Sequence, residues 1–343
     1  MKIFSKYIFR RVSLTVGLIA IIYFFLKEFN FSSLRNIHLT ERMILGILFA
    51  FILIVLRDIL VAYRFKLFSD NQLTWFKALK IHILCEFTAA VTPSVIGNGG
   101  VAFFFLKNEK ISSAKSTAIT VSLLFLDELF LTLVSPLPLL FFSLYDLFNV
   151  TPFLQASIKV VFGSVYLMIV LWTLLLYIAL FRGIGPLKNV FHKIFSIKYL
   201  QKFQHKIDSL MDSLVISSSE LKNKPLIFWI KGFAATVLSW TFRFMVVNAI
   251  MFAFAKGENH FLVFFQQIVF WNILTASPTP GGMGIGELLF KEYYVDFFPT
   301  IGLALLAILI WRILTCYMYL FAGLFTLFGR IKKVDGIPQK ETK

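Results

Sequence analysis

Charged side chains are scarce in this sequence. Of its 343 residues, 15% are Asp, Glu, Lys or Arg, whereas 58% are hydrophobic and 42 are Phe. Soluble domains average roughly 25% charged residues, because a surface in water needs polar cover. The composition therefore excludes a soluble enzyme, a disordered chain and a collagen-like scaffold. We expect an all-α polytopic membrane protein, with residues 1–343 forming a single membrane domain.

Cysteine and histidine are also few, and the common catalytic motifs are missing. Cys85 and Cys316 lie far apart in apolar segments, and the five His residues are scattered. Neither arrangement has the spacing of a metal site or a disulfide framework. The chain contains no HExxH, no phosphate-binding GxxxxGK[ST] and no GxSxG. We predict no metal, no cofactor and no enzymatic activity encoded by a motif.

Acidic residues are fewer than basic ones, with 18 Asp and Glu against 34 Lys and Arg. In a soluble protein a net charge of +16 would suggest nucleic acid, but in a membrane protein excess Lys and Arg hold loops in the cytoplasm. If the chain crosses the membrane six times and forms two re-entrant hairpins, the five segments on one side carry 23 Lys and Arg, and the segments on the other side carry 4. We expect both termini in the cytoplasm, an integral location in the cell membrane, and no nucleic-acid partner.

Long apolar runs dominate the chain. Stretches of roughly 20 apolar residues predict full membrane spans, and six are found, at 11–26, 43–63, 116–142, 158–181, 226–254 and 300–328. Two more, at 76–107 and 261–294, are interrupted by Pro and Gly and are interpreted as re-entrant hairpins. The basic segment 182–224 has apolar residues at helical spacing. It is either an amphipathic helix on the inner leaflet or an ordinary solvated helix.

The two interrupted stretches repeat at one offset. Adding 185 places Pro93 on Pro278, Gly97 on Gly282 and Gly99 on Gly284. The same offset places Asp58 on Arg243 and Asp127 on Arg312. We therefore predict two units, 43–142 and 226–328, each consisting of a helix, a broken hairpin and a helix. In the predicted topology the units run in opposite directions, which is the inverted repeat common among secondary transporters.

The broken hairpins are candidate binding sites, because irregular backbone inside a membrane is tolerated where it is buried or lines a wet cavity. Helix starts after the glycines would present free amide groups to an anionic or polar headgroup. The alternative is a pair of tight turns that allow dense helix packing. The candidate residues are Pro93, Gly97, Asn98, Gly99, Gly100, Pro278, Pro280, Gly281, Gly282, Gly284, Gly286 and Glu287.

Ionisable residues inside the spans form a second set of candidates, because such residues usually face a cavity or a partner. Arg57 and Arg243 are assigned to a lipid phosphate. The proposed intramembrane charge network comprises Asp58, Glu86, Asp127, Glu128 and Arg312. One hypothesis pairs Asp127 or Glu128 with Arg312 in a contact that headgroup binding rearranges. The alternative is a static pair that fastens the two units.

The segment Pro278-Thr279-Pro280-Gly281-Gly282-Met283-Gly284-Ile285-Gly286-Glu287 resembles the proline–glycine signature of the lysylphosphatidylglycerol synthase transmembrane-region family. The resemblance covers most of the chain, although Gly100 is not followed by the usual Glu and Asp127-Glu128 stands where a Glu-Arg pair is common. It implies translocation of a lipid or lipid-linked molecule. It implies no headgroup synthesis, since relatives that add lysine to phosphatidylglycerol carry a separate transferase domain.

Three functions follow as hypotheses. The first is movement of a polar or anionic lipid between leaflets by a site that faces one leaflet at a time. The second is a membrane scaffold for a separate lipid-synthesis enzyme. The third is an enzyme that modifies a lipid headgroup, with Glu287 or the Asp127-Glu128 pair as acid or base. Membrane lipids are the expected partners in each case.

Overall fold

The computed structural model describes residues 40–92, 101–148, 152–182, 221, 223–257 and 259–335. These residues form helices and no β-strand, as expected for an all-α protein. In chain order the α-helices are α1 Glu41–Phe68, α2 Trp75–Val91, α3 Val101–Asn108, α4 Ser113–Val134, α5 Pro138–Phe141, α6 Leu144–Leu147, α7 Pro152–Tyr177, α8 Leu226–Phe254, α9 His260–Thr275, α10 Ile285–Tyr294, α11 Ile301–Arg312 and α12 Met318–Asp335. Two π-helical segments, Ile178–Arg182 and Ile313–Tyr317, follow α7 and α11, and a 3-10 turn at Val295–Phe297 follows α10.

Short polar side chains mark where several helices begin. The side-chain oxygens of Thr40, Thr74 and Ser112 accept hydrogen bonds from the backbone amides three residues ahead, at the starts of α1, α2 and α4. Thr300 does the same at the start of α11. Each contact satisfies one of the amides that has no partner within the helix. These caps fix helix starts that apolar periodicity alone does not locate to the residue.

Five helical stretches in the described part of the chain are long and apolar enough to cross a membrane. They are Glu41–Phe68, Ser113–Phe141, Ala156–Arg182, Leu226–Phe254 and Ile301–Thr326. Many large apolar side chains on α1 and α7 are exposed, as on a surface that faces lipid. The chain is therefore an integral membrane protein. The five correspond to the predicted spans from 43–63 onward, whereas the span at 11–26 and most of 182–224 lie outside the described residues.

Helix bounds follow the offset of 185 that the sequence suggested. Adding 185 to the bounds of α1, α2 and α3 gives 226–253, 260–276 and 286–293, each bound within one residue of those of α8, α9 and α10. The same shift carries α4 onto 298–319, a range that contains α11 and the π-helical segment after it. The element order therefore repeats. The opposite orientation of the two units stays a prediction.

The first helices of the two units, α1 and α8, form the most extensive helix contact in the described structure. A Cβ atom added to Gly46 would lie 2.6 Å from the Cβ of Ala253 and 2.9 Å from the carbonyl oxygen of Ala249. Such close approach through small residues is typical of helices that pack in membranes. Helix α2 packs on α1 and α12, so side chains from both units meet around the α1–α8 pair.

Candidate functional site

The second interrupted stretch contains a turn, named here the glycine break, at residues 276–284 between α9 and α10. Gly281, Gly282 and Gly284 have φ angles of 58°, 67° and 82°. Residues with a Cβ atom rarely adopt these angles, so the chain can turn here only because glycine is present. Pro280 is buried and Pro278 is exposed. The turn separates two helices of 16 and 10 residues, both shorter than a typical span.

Arg312 fills the glycine break from the end of α11. Its Nη1 donates to the carbonyl oxygen of Gly281 at 3.1 Å, and its Nη2 donates to that of Gly282 at 2.9 Å. The absence of a side chain at Gly286 makes room for the guanidinium, because a Cβ there would lie 2.3 Å from Nη2. Arg312 thus supplies a partner for the carbonyl of Gly281 and a second partner for that of Gly282 in an apolar interior.

Glu287 neutralises Arg312. Its Oε2 lies 2.8 Å from Nη2, its Oε1 lies 2.6 Å from Nε, and both side chains are 3% exposed. Arg312, Glu287 and the carbonyls of Gly281 and Gly282 are called the Arg312 clamp below. The predicted pairing of Arg312 with Asp127 or Glu128 is therefore wrong. Glu287 reaches Arg312 because α10, which carries Glu287, packs directly on α11, which carries Arg312.

The start of α10 is also capped by the chain itself. Glu287 Oε2 accepts the amide of Gly284 at 2.7 Å, and the carbonyl oxygen of Gly282 accepts the amide of Gly286 at 2.8 Å. We expected free amides to face the break at this point, and those of Gly284 and Gly286 are not free. The glycine break is therefore held together by hydrogen bonds within the chain itself. Direct contact between its residues and a substrate stays a prediction.

The two interrupted stretches meet. The amide of Gly281 donates to the carbonyl oxygen of Thr92 at 3.3 Å, and a Cβ at Gly281 would lie 3.2 Å from the carbonyl oxygen of Ala90. Thr92 directly follows α2, so the glycine break contacts the point where the first stretch is interrupted. The candidates Pro93, Gly97, Asn98, Gly99 and Gly100 lie outside the described residues.

Six polar side chains from four helices form a second group, named here the central charge cluster. Its members come from α1, α2, α8 and α12, and they are Arg57, Asp58, His82, Glu86, Arg243 and Tyr319. Arg57 is 4% exposed and binds Glu86 through Nη2. Its Nη1 donates to the hydroxyl oxygen of Tyr319 at 3.1 Å and lies 3.4 Å from Asp58 Oδ1. The structure thus brings together four of the predicted residues.

Arg243 occupies the more open side of the cluster. Its side chain is 19% exposed, and its Nη1 lies 3.7 Å from Glu86 Oε1. The guanidinium carbon lies 4.0 Å from the ring centre of Trp271 and 5.5 Å from that of Trp240, so two indoles flank the cation. Within the described part of the chain, the guanidinium makes no hydrogen bond. Arg243 is thus held in place while its donors stay available.

His82 and Tyr319 belong to the cluster and were not among the predicted residues. His82 Nε2 lies 2.9 Å from Asp58 Oδ1, and the Tyr319 hydroxyl lies 2.8 Å from each carboxylate oxygen of Asp58. A usable signal for His82 was its spacing of four residues from Glu86, which places both on one face of α2. Tyr319 carried no comparable signal, because its neighbours in sequence are apolar and aromatic.

Asp127 lies in a separate contact with Arg64, a residue that the predicted span 43–63 had left in a loop. Arg64 Nη1 lies 2.8 Å from Asp127 Oδ1, and Arg64 Nη2 donates to the carbonyl oxygen of Leu123. Trp240 Nε1 also donates to Asp127 Oδ1 at 2.8 Å. Glu128 is half-buried, and its carboxylate makes no hydrogen bond or ion pair with the described residues.

The part of the chain that the structure describes contains no group of three or more His, Cys, Asp or Glu side chains placed to bind a metal ion.

Comparison with known proteins agrees with this architecture. The family described as "Lysylphosphatidylglycerol synthase TM region" matches residues 11–323. A curated relative, a "UPF0104 membrane protein" from Archaeoglobus fulgidus, is 23% identical over 287 residues, which is 80% of this chain and 83% of the relative. No solved structure matches the chain significantly.

Proposed function

The chain belongs to the lysylphosphatidylglycerol synthase transmembrane-region family, and from this premise we propose that it moves a lipid with a polar or anionic headgroup between the leaflets of the cell membrane. Membership relates this membrane protein to lipid metabolism or transport. The observation that supports the proposal most directly is the central charge cluster. Charged groups inside a membrane are costly, and those that are found there commonly mark substrate or ion pathways.

Arg243 is the residue we assign to the phosphate of the lipid. A phosphodiester is recognised best by a guanidinium that offers several donors in one plane. Arg57 is engaged with Glu86, Asp58 and Tyr319, whereas Arg243 has a single ionic contact at 3.7 Å. The flanking indoles of Trp240 and Trp271 keep the guanidinium in position, so little side-chain freedom would be lost on binding.

The repeated element order supports alternating access. The cluster takes Arg57, Asp58, His82 and Glu86 from the first unit and Arg243 and Tyr319 from the second, so relative motion of the units would reshape it. In the proposed inverted topology both termini are cytoplasmic and the two glycine-containing stretches come from opposite leaflets. The Arg312 clamp would keep one of these stretches rigid while the unit moves.

The test is reconstitution into liposomes with fluorescent short-chain phosphatidylglycerol, followed by extraction of the outer leaflet with albumin. We expect protein-dependent exchange that Arg243→Gln slows by about tenfold to a hundredfold, the effect of losing a charge-assisted hydrogen bond. Arg42→Gln is the matched control. Arg42 lies on α1 and, like Arg243, packs against an aromatic ring, that of Phe252, but it is outside the cluster. Equal slowing by both variants, or no exchange above protein-free liposomes, would contradict the proposal.

The same preparation separates the other two hypotheses. A chemically altered headgroup, detected by mass spectrometry of the extracted lipid, would favour an enzyme. Absence of both exchange and chemistry, together with a stably copurifying synthase, would favour a scaffold.

A further inference from the structure

The central charge cluster is electrically balanced when His82 is neutral. It contains two arginines, Arg57 and Arg243, and two carboxylates, Asp58 and Glu86. Tyr319 donates its hydroxyl hydrogen to Asp58 and carries no charge. Each cation has a carboxylate within 4 Å, so the ions compensate one another without any other ion.

Binding an anion would upset this balance. A phosphodiester that contacts Arg243 adds one negative charge to a group of side chains that are 3% to 19% exposed. An uncompensated charge in such surroundings is strongly unfavourable, and proteins usually avoid it by gaining or losing a proton. The cluster therefore needs a group that can accept a proton when the headgroup arrives.

His82 is the group in position to do so. Its imidazole is 2% exposed and lies 2.9 Å from Asp58. Imidazole exchanges protons near neutral pH, whereas arginine stays charged and thiols and phenols keep their protons. Among the other titratable or charged side chains of the elements around His82 are Arg57 and Asp58 on α1, Cys85 and Glu86 on α2, Arg243 on α8, Tyr319 on α12, and Cys316 and Tyr317 in the π-helical segment.

We propose that His82 takes up one proton when the central charge cluster binds the phosphate of a lipid, so that headgroup binding and proton uptake occur together. The inference rests on the proposed lipid translocation and adds a coupling ion to it. Asp58 receives the Tyr319 hydrogen and can only accept, so the neutral imidazole donates from Nε2. The added proton comes from water and goes to Nδ1, with no other bond made or broken.

The sign of the pH effect follows from linkage. A ligand whose binding adds one proton binds more tightly as the pH falls, by up to about tenfold per pH unit where the imidazole starts neutral. A phosphodiester keeps its single charge throughout the neutral range, so the ligand contributes no pH dependence of its own.

Proton uptake is measured directly by calorimetry on the purified full chain in detergent. The probe is dihexanoyl-phosphatidylglycerol, titrated at one mildly alkaline pH in Tris and in HEPES buffer, whose ionisation enthalpies differ and neither of which contains phosphate. We expect the difference in binding enthalpy to correspond to uptake of nearly one proton per lipid. His82→Gln should take up none and bind about tenfold more weakly, because the added charge is no longer compensated. Glutamine is the residue at the equivalent position, Gln267, of the second unit.

Two further variants distinguish charge compensation from a general effect of mutation. Asp58→Asn leaves the cluster one positive charge in excess, so the lipid should bind without proton uptake although His82 is present. His260→Gln, at the start of α9 and outside the cluster, should behave like the unmodified chain. Uptake of a proton by His82→Gln, or undiminished uptake by Asp58→Asn, would overturn the coupling.

Exchange in liposomes separates this inference from the function on which it rests. Faster exchange of fluorescent phosphatidylglycerol at mildly acidic than at mildly alkaline pH, lost in His82→Gln, is the expected result. Exchange that is equally fast at all pH values in both proteins would overturn the coupling and leave the translocation intact. Absence of lipid binding and of exchange at every pH would overturn both.

Discussion

Arg312 and Arg243 show two ways in which an arginine can be accommodated inside a membrane protein. Glu287 cancels the charge of Arg312, and two backbone carbonyls accept hydrogen bonds from its Nη1 and Nη2. Arg243 has one ionic contact at 3.7 Å and is held mainly by aromatic rings. These contacts hold Arg312 in one conformation. Arg243 has fewer partners among the described residues, so its donors remain for the ligand that we propose.

The Arg312 clamp leads to a prediction about Gly286. Alanine there would place a Cβ 2.3 Å from Arg312 Nη2. A long side chain can usually move away from such a contact, but this guanidinium is fixed by Gly281, Gly282 and Glu287. We expect Gly286→Ala to destabilise the protein by about 1–3 kcal/mol, the range for an overpacked core. Thermal unfolding in detergent, followed by intrinsic fluorescence, measures the effect.

Gly163→Ala is the control for this change. Gly163 lies within α7, and a Cβ there would meet nothing within 4 Å. Since alanine favours a helix more than glycine does, this variant should be neutral or slightly more stable. Equal destabilisation by both substitutions would show that the clamp is not what makes Gly286 necessary.

At the level of elements, Asp70 joins the ends of three helices. It follows α1, and its carboxylate lies 3.0 Å from the ammonium group of Lys115 in the first turn of α4 and 2.5 Å from that of Lys224, just before α8. Partial burial raises the pKa of Asp70, but the hydrogen bonds from Lys224 and Lys115 outweigh it and hold the pKa below its usual value. The contact therefore stabilises the folded state while the carboxylate is ionised.

Asp70→Asn should accordingly lower stability at neutral pH. Because the folded pKa is the lower one, the stabilisation is complete above the pKa of the unfolded chain and is lost as the pH falls through the folded value. Asp70 is largely exposed to solvent, so we expect less than about 1 kcal/mol, and less still at high salt. Unfolding temperatures at neutral and at acidic pH measure the effect. Asp296→Asn is the control: this exposed carboxylate has no ion pair in the described structure, so its replacement should leave the unfolding temperature at neutral pH nearly unchanged.

The elements were more predictable from sequence than their contacts. Apolar length alone predicted 226–254, which are the bounds of α8, and the Pro and Gly residues marked the break at 276–284. The pairing of Arg312 was not predictable from the offset. Equivalent residues of two repeated units come together only where the units pack on each other. Asp58 and Arg243 both belong to the central charge cluster because α1 packs on α8, whereas Asp127 on α4 and Arg312 on α11 each find a charged partner within their own unit.

At the scale of the whole molecule, the two units differ in how they use equivalent positions. His82 and Glu86 of α2 correspond to Gln267 and Trp271 of α9. The first unit thus supplies the titratable group and the carboxylates, and the second supplies Arg243 and its aromatic walls. Under the proposed function, this asymmetry would orient a bound headgroup, while the repeated element order would let the two units move as similar bodies.

The orientation of the units is the last prediction. Gln72, after α1, and Lys256, after α8, occupy equivalent exposed loops. If the repeat is inverted, these loops lie on opposite sides of the membrane, with Gln72 on the more basic, cytoplasmic side. Single cysteines at the two positions, in a chain with Cys85 and Cys316 replaced, can be labelled with a membrane-impermeant maleimide. In intact cells Lys256→Cys should react at once, and Gln72→Cys only after the membrane is permeabilised. Labelling of both from the same side would show that the units run parallel, and an alternating-access mechanism built on inversion would then be excluded.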